Sequence, residues 1–245
     1  MIQESVTEVI FAAIYGEMDH ILDNPIYNAL NSGNQQFYIG NENSNFFQPE
    51  VAPFAGLKTN SDNDFAELDY ISPPESTFVI FTPERVSIPK PWKKIREMEL
   101  LQMVYEGTIP PHKINQNLID LNEQHVPEML ALTQLTNPGP FLNQTIQFGN
   151  YTGIISDGRL VAMVGQRQQP LPYIEISAVC THPDHLGKGY ATLLITEQIK
   201  RIITAGAVPF LHVLAGNQSA ISVYERLGFK TRRQLFAFVF QKEMR

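Results

Sequence analysis

The sequence predicts an α/β fold, and three features carry the prediction. From residue 117 onward, strand-like and helix-like apolar segments follow one another in the order β-α-β-β-β-α-β-α-β. Asp157 and Gly158 stand between two apolar runs, as a tight hairpin turn requires. The stretch "THPDHLGKGYATLL", residues 181–194, sets two glycines one residue apart just ahead of an amphipathic helix.

The first part of the chain is mixed. "ESVTEVIFAAIY" reads as a helix, and "DNPIYNALNS" as another, with Asp23 or Asn24 as cap and Pro25 early in the helix. "QQFYIG" reads as a strand, and "NENSNFFQPEVAPFAG" as an irregular loop. "NDFAELDYI" fits a short helix and "STFVIFTPE" a strand. "VSIPKPWKK" carries two prolines and reads as a connection, and "REMELLQMVYEG" as a strand that closes this part. "TIPPHK" marks the expected boundary, because paired prolines break helix and strand alike. The expected division is an α/β N-terminal subdomain at 1–107 and a second domain at 108–245.

The second part is more regular. "NLIDL" is a strand, and "HVPEMLALTQLT" a helix with apolar residues at helical spacing. The hairpin "YTGIISDGRLVAMVGQRQQ" and the strand "YIEISAVCT" follow. "KGYATLLITEQIKRIITAG" is a helix ending at Gly206. "VPFLHVLA" is a strand, "NQSAISVYERLG" a helix from Asn217 to Gly228, and "RQLFAFVFQK" the last strand.

Composition narrows the function. The chain has 245 residues and a net charge of -7. That balance argues against nonspecific nucleic-acid binding and adhesion to anionic membranes. It leaves open a cationic acceptor such as a polyamine or a lysine side chain, although net charge describes the whole surface and not a site. The one cysteine, Cys180, excludes an intramolecular disulfide and fits a reducing compartment. The N-terminus carries acids and lacks a basic n-region, so a cytoplasmic location is expected rather than secretion. No run is long and apolar enough to span a bilayer. The six histidines show no metal-like spacing, so no metal is expected.

Glycine at a helix entrance suits an anion. It adopts backbone conformations closed to other residues and lets a ligand approach the main chain. The first amides of a helix have no internal partners, and the aligned peptide dipoles make that end partly positive. Leu186, Gly187, Lys188, Gly189, Tyr190, Ala191 and Thr192 therefore suit a phosphate or pyrophosphate, with Lys188 adding charge at the rim. The spacing fits neither the dinucleotide fingerprint nor the P-loop. The plain alternative is an ordinary turn.

"ISAVCTHPDHLGKGYATLLI" followed by "NQSAISVYERLGF" resembles the GNAT superfamily of acyl-CoA-dependent N-acyltransferases, in its FR47-like branch. The resemblance covers roughly residues 114–245 and is strongest over 175–229. It implies a mixed, partly splayed sheet flanked by helices, and acetyl-CoA as acyl donor. The N-terminal part is then structural cover, an acceptor-selecting element, or a degenerate copy of the same fold. The family's turn reads Gln/Arg-x-x-Gly-x-Gly/Ala, and here Leu186 stands at the first position. By resemblance, the backbone of Val179, Cys180 and Thr181 pairs with the pantetheine arm, and the glycine turn holds the pyrophosphate.

The resemblance also implies the chemistry. An alkylamine with a pKa near that of lysine, about 10.4, is mostly protonated at neutral pH, so a base must take its proton. Glu175 is the candidate base, lying four residues before Val179 on an otherwise apolar strand. Its alternative is a solvent-facing or salt-bridged glutamate. Tyr224 is the candidate acid for the departing thiolate, or else a core tyrosine beside Leu227. Asn217 and Ser219 begin the last helix, near the cofactor or as its cap. Cys180 reads as a small apolar residue facing the core, and His212 as a satisfied core histidine. The expected function is transfer of an acetyl group to a primary amine, small-molecule or peptide, by a monomer or homodimer. A longer acyl donor with an amino-acid acceptor and a non-catalytic acyl-CoA-binding module are the alternatives.

Overall fold

The computed structural model describes residues 20–108 and 118–243. The expected helix at 4–15 lies outside them, as does most of the boundary segment at 108–113.

The first described elements are a 3₁₀ turn, Ile21–Asp23, and helix α1, Pro25–Leu30. Strands β1 (Tyr38–Gly40), β2 (Ser44–Phe47) and β3 (Ala55–Leu57) form an antiparallel sheet in that order. The segment expected as an irregular loop thus supplies two strands. Sequence alternation missed β2 because all four of its residues are buried, so no polar-out pattern exists to read. Helix α2, Asp62–Ile71, starts at a capping box in which Ser61 accepts from the Asp64 amide. Strands β4 (Thr77–Thr82) and β5 (Trp92–Tyr105) follow. β5 starts earlier than expected, taking in the end of the proline-containing connection.

The remainder follows the predicted order: β6 (Ile119–Asp120), α3 (Val126–Thr136), β7 (Thr152–Ser156), β8 (Arg159–Gln166), β9 (Tyr173–Thr181), α4 (Tyr190–Thr204), β10 (Val208–Leu214), α5 (Gln218–Leu227) and β11 (Phe229–Lys242). Asp157 and Gly158 both take positive φ, 51° and 73°, which is the geometry of the tight turn read from the sequence.

The main sheet is mixed and eight-stranded, in the order β4-β11-β5-β10-β9-β8-β7-β6. Only β9 and β10 run parallel. β5 precedes residue 108 in the chain yet lies between β10 and β11. The hydrogen-bonded ladder therefore crosses the position where paired prolines suggested a boundary.

Side chains alternate between the two faces of the sheet. Met163 and Cys180 share one cluster with Met129 and Leu132 of α3 and Leu30 of α1. Ala162, Val164 and Ile176 share another with Leu194, Ile195, Ile199 and Ile202 of α4. Those four α4 side chains are fully buried, each worth about 1.5–3 kcal/mol of transfer free energy. Gln198 sits among them and is satisfied by Gln166, Thr152 and the Asn150 carbonyl. No helix among the described residues is long and apolar enough to cross a membrane.

Candidate active site

The site begins where the two parallel strands part. β10 pairs with β9 only over Val208, Pro209 and Phe210, against Tyr173, Ile174 and Glu175. Both strands run on, to Leu214 and Thr181, without pairing further. A bulge helps to turn β9 away. Three residues of β8, from Met163 to Gly165, face four of β9, from Cys180 to Ser177, and Ala178 takes a φ of 53°. Beyond the bulge the His182 amide donates to the Val161 carbonyl on β8. By strand alternation, Thr181 and Val179 turn their amides to the other side, toward the gap.

A cleft of about 660 Å³ occupies this gap. Its far end is the glycine turn. Gly187 and Gly189 have φ of 75° and 76°, the left-handed region that disfavours other residues. Nothing lies within 4 Å of where a Cβ would stand at either position. Gly189 caps α4, and the first helical bond is from Leu193 to the Gly189 carbonyl. Among the described residues, nothing accepts from the amides of residues 187–192. The backbone thus offers a ring of free donors beside open space at the positive end of a long helix. Leu186 is 66% exposed at the lip, where its side chain adds no donor.

At the closed end of the cleft lies a buried polar network. Arg167 grips Glu175 with two hydrogen bonds, Nε to Oε2 at 2.8 Å and Nη2 to Oε1 at 2.6 Å. His212 Nδ1 is 2.8 Å from Glu175 Oε1, and the Gln168 amide donates to Oε2. Gln102 fixes the histidine from the other side, with its Nε2 3.1 Å from His212 Nε2. The orientation of Gln102 is set by Arg232 donating to its Oε1 and by its own bond to the Leu22 carbonyl. The ring proton of His212 therefore sits on Nδ1, facing Glu175. Asp23 closes the far end by accepting from Arg232 and Arg233.

This placement changes the reading of Glu175. Burial alone would raise its pKa, but the charge and hydrogen bonds of Arg167, with those of His212, outweigh it and hold the carboxyl down to about 2. Its side chain does not line the cleft, whereas Arg167 and His212 do. Glu175 is salt-bridged, the alternative weighed above, and a carboxylate so held is a poor direct acceptor of a proton at neutral pH.

The other expected residues divide into two groups. Val179, Thr181, Leu186, Gly187, Gly189, Tyr190, Ala191, Thr192, Asn217, Ser219 and Tyr224 line the one cleft. Cys180 and Lys188 do not. Cys180 faces the core, its thiol pushed up to about 11 by burial. Lys188 Nζ contacts His185 Nδ1 at 3.1 Å. Tyr224 is 8% exposed, and burial pushes its phenol up to about 12, so it stays protonated across the neutral range. Among the described residues its hydroxyl has no hydrogen-bond partner. Asn217 caps α5 by accepting from the Ala220 amide and lines the cleft as well, so its two expected roles are compatible.

Sequence reasoning missed Arg167, which lies on the cleft wall with its guanidinium 4.7 Å from the Phe54 ring centroid. The signal was present: an arginine among glutamines at the end of an apolar hairpin strand, as anomalous as Glu175 on its own strand.

Comparison with known proteins places this geometry. Residues 151–237 match the family described as FR47-like protein. The crystal structure of a GNAT-family protein from Novosphingobium aromaticivorans DSM 12444 superposes with a TM-score of 0.85 at 35% identity, over 92% of this chain and 100% of that one. A GCN5-related N-acetyltransferase from Kribbella flavida shares the fold, with a TM-score of 0.63 at 14% identity, over 91% of this chain and 96% of that one. No curated protein matches.

Proposed function

This chain belongs to the GNAT family, and from that premise we propose that it transfers an acetyl group from acetyl-CoA to a primary amine by direct attack in a ternary complex. The observation that carries the reading is two sets of free backbone donors on one cleft, at the splayed edge of β9 and in the turn before α4.

Acetyl-CoA fits these donors by chemistry. Its pyrophosphate needs several donors and room for backbone approach, and the amides of residues 187–192 beside Gly187 and Gly189 offer both. Its pantetheine amides need an unpaired strand edge, which Val179 and Thr181 provide. Bound there, the cofactor supplies an acetyl group activated as a thioester. The Val179 amide, within the bulge, is the donor we assign to the negative charge that develops on the acetyl oxygen. Tyr224 we assign as the acid that protonates the departing sulfur. Glu175 acts through the side chains it orients, and removal of the amine proton falls to solvent in the cleft or to the amine's own equilibrium. Leu186 in place of a polar residue weakens the grip on the pyrophosphate without removing its main donors.

Tyr224→Phe tests the assignment. It should lower kcat about a hundredfold, the size of a general-acid contribution, and leave the Kd for CoA within about twofold. An unchanged kcat removes Tyr224 from the mechanism.

A further inference from the structure

The acidic surface stops at the cleft. Although the chain carries a net charge of -7, neither Asp nor Glu is among the described residues that line the cleft or the small pocket beside it. The titratable side chains on those walls are Arg167, Arg226, His185, His212 and the tyrosines. A polyamine or lysine-rich acceptor, left open by net charge alone, would find no carboxylate to bind.

The small pocket has room for about one water-sized group, roughly 10 Å³. It lies beside the β9 bulge and shares Arg167, Ser177 and Ala178 with the cleft. Tyr151 forms one wall, and Gly165 makes space for its ring, since a Cβ there would overlap it. Burial keeps the Tyr151 phenol strongly protonated, so it stays a donor. Among the described residues its hydroxyl has no hydrogen-bond partner.

Arg167 lines both this pocket and the larger cleft. A guanidinium carries five N–H donors arranged in forks. Glu175 takes one fork, through Nε and Nη2. Among the described residues nothing accepts from Nη1, so the second fork, Nη1 with the remaining Nη2 hydrogen, is free. Phe54 fixes the plane of the group from one side and Glu175 fixes its direction. His212 and the Gln168 amide in turn hold Glu175. A guanidinium held this firmly, with one fork spare and a neutral phenol nearby, matches a planar anion bidentately.

We propose that the second fork of Arg167 binds a carboxylate on the acceptor, so that the substrate is a small amino acid-type amine rather than a simple or polycationic one. The proposal rests on the acetyl-transfer reading of the cleft. It gives the N-terminal part a share in acceptor selection, through Phe54. Glu175 becomes a positioning residue, aiming Arg167 rather than taking the proton.

The test compares an acid with its own amide. L-alanine and L-alaninamide, and glycine and glycinamide, are assayed as acceptors at saturating acetyl-CoA. The same four are titrated calorimetrically into the CoA-saturated protein. The carboxylate member should be preferred by at least about tenfold in kcat/KM and in affinity, the effect of one charge-assisted hydrogen bond. The amide has the less basic amine, so a preference for the acid cannot come from easier deprotonation. Arg167→Gln combined with Glu175→Gln removes both charges together, and Arg167→Lys keeps the charge without the fork. Each should collapse the acid-to-amide ratio to about one through KM, in a variant whose CoA affinity shows that the cleft has folded. Acid and amide used equally, while CoA binds and acetyl transfer proceeds, would overturn the carboxylate fork and leave the transferase reading standing. Failure to bind CoA at all would overturn both.

Discussion

The two ends of the cleft are built on opposite plans. At the open end, the turn at residues 186–189 and the first turn of α4 offer backbone amides and almost no side-chain chemistry, with nothing within 4 Å of the Cβ positions of Gly187 and Gly189. At the closed end, Arg167, Glu175, His212 and Gln102 are bonded to one another through side chains, in a buried network that leaves over the second fork of Arg167. The open end is organised by local conformation and needs only the right φ values. The closed end is organised by tertiary contact and needs every partner in place. Disturbing the first should therefore cost ligand affinity, and disturbing the second should cost stability.

The largest effect is expected at the closed end. Glu175→Gln leaves the Arg167 guanidinium buried without its counter-charge, and should destabilise the fold by about 3–5 kcal/mol in denaturant unfolding. Loss of less than about 1 kcal/mol would mean that the network is not structural. The wild-type protein should show the same dependence on pH. A carboxyl whose folded pKa lies near 2, below its unfolded value of 4.5, contributes stability that is complete above 4.5 and lost as the pH falls toward 2. Unfolding midpoints measured between pH 5 and pH 2 should fall through that window in the wild type, and less steeply in Glu175→Gln.

A smaller effect is expected at the open end. Gly189→Val places a β-branched side chain at a φ of 76° and fills the space beside the free amides. The strain is of order 1–3 kcal/mol, and affinity for CoA should fall by about tenfold or more. A variant that binds CoA as the wild type does would separate the turn from the pyrophosphate and break the contrast between the two ends.

The same contrast explains what the sequence revealed. The glycine turn, the Asp157-Gly158 hairpin and the Asn217 cap were legible because each is a local arrangement of a few adjacent residues. The order of elements after residue 117 was legible because period alone distinguishes its strands from its helices. β2 was not, since it is buried on both faces. Nor was the place of β5 between β10 and β11, because pairing of strands far apart in sequence leaves no local mark. Glu175 stood out as a charge on an apolar strand, but its role depends on Arg167, His212 and Gln102, the last of them 73 residues earlier in the chain. The anomaly was visible, and its partners were not.

The most direct test of the account is calorimetric titration of the pure protein with acetyl-CoA and with CoA. The central claim, that free amides along β9 and the glycine turn form an acyl-CoA site, predicts one site per chain with micromolar affinity for both ligands, despite Leu186. Absence of binding by either ligand would contradict it, and the turn before α4 would then be only a helix entrance.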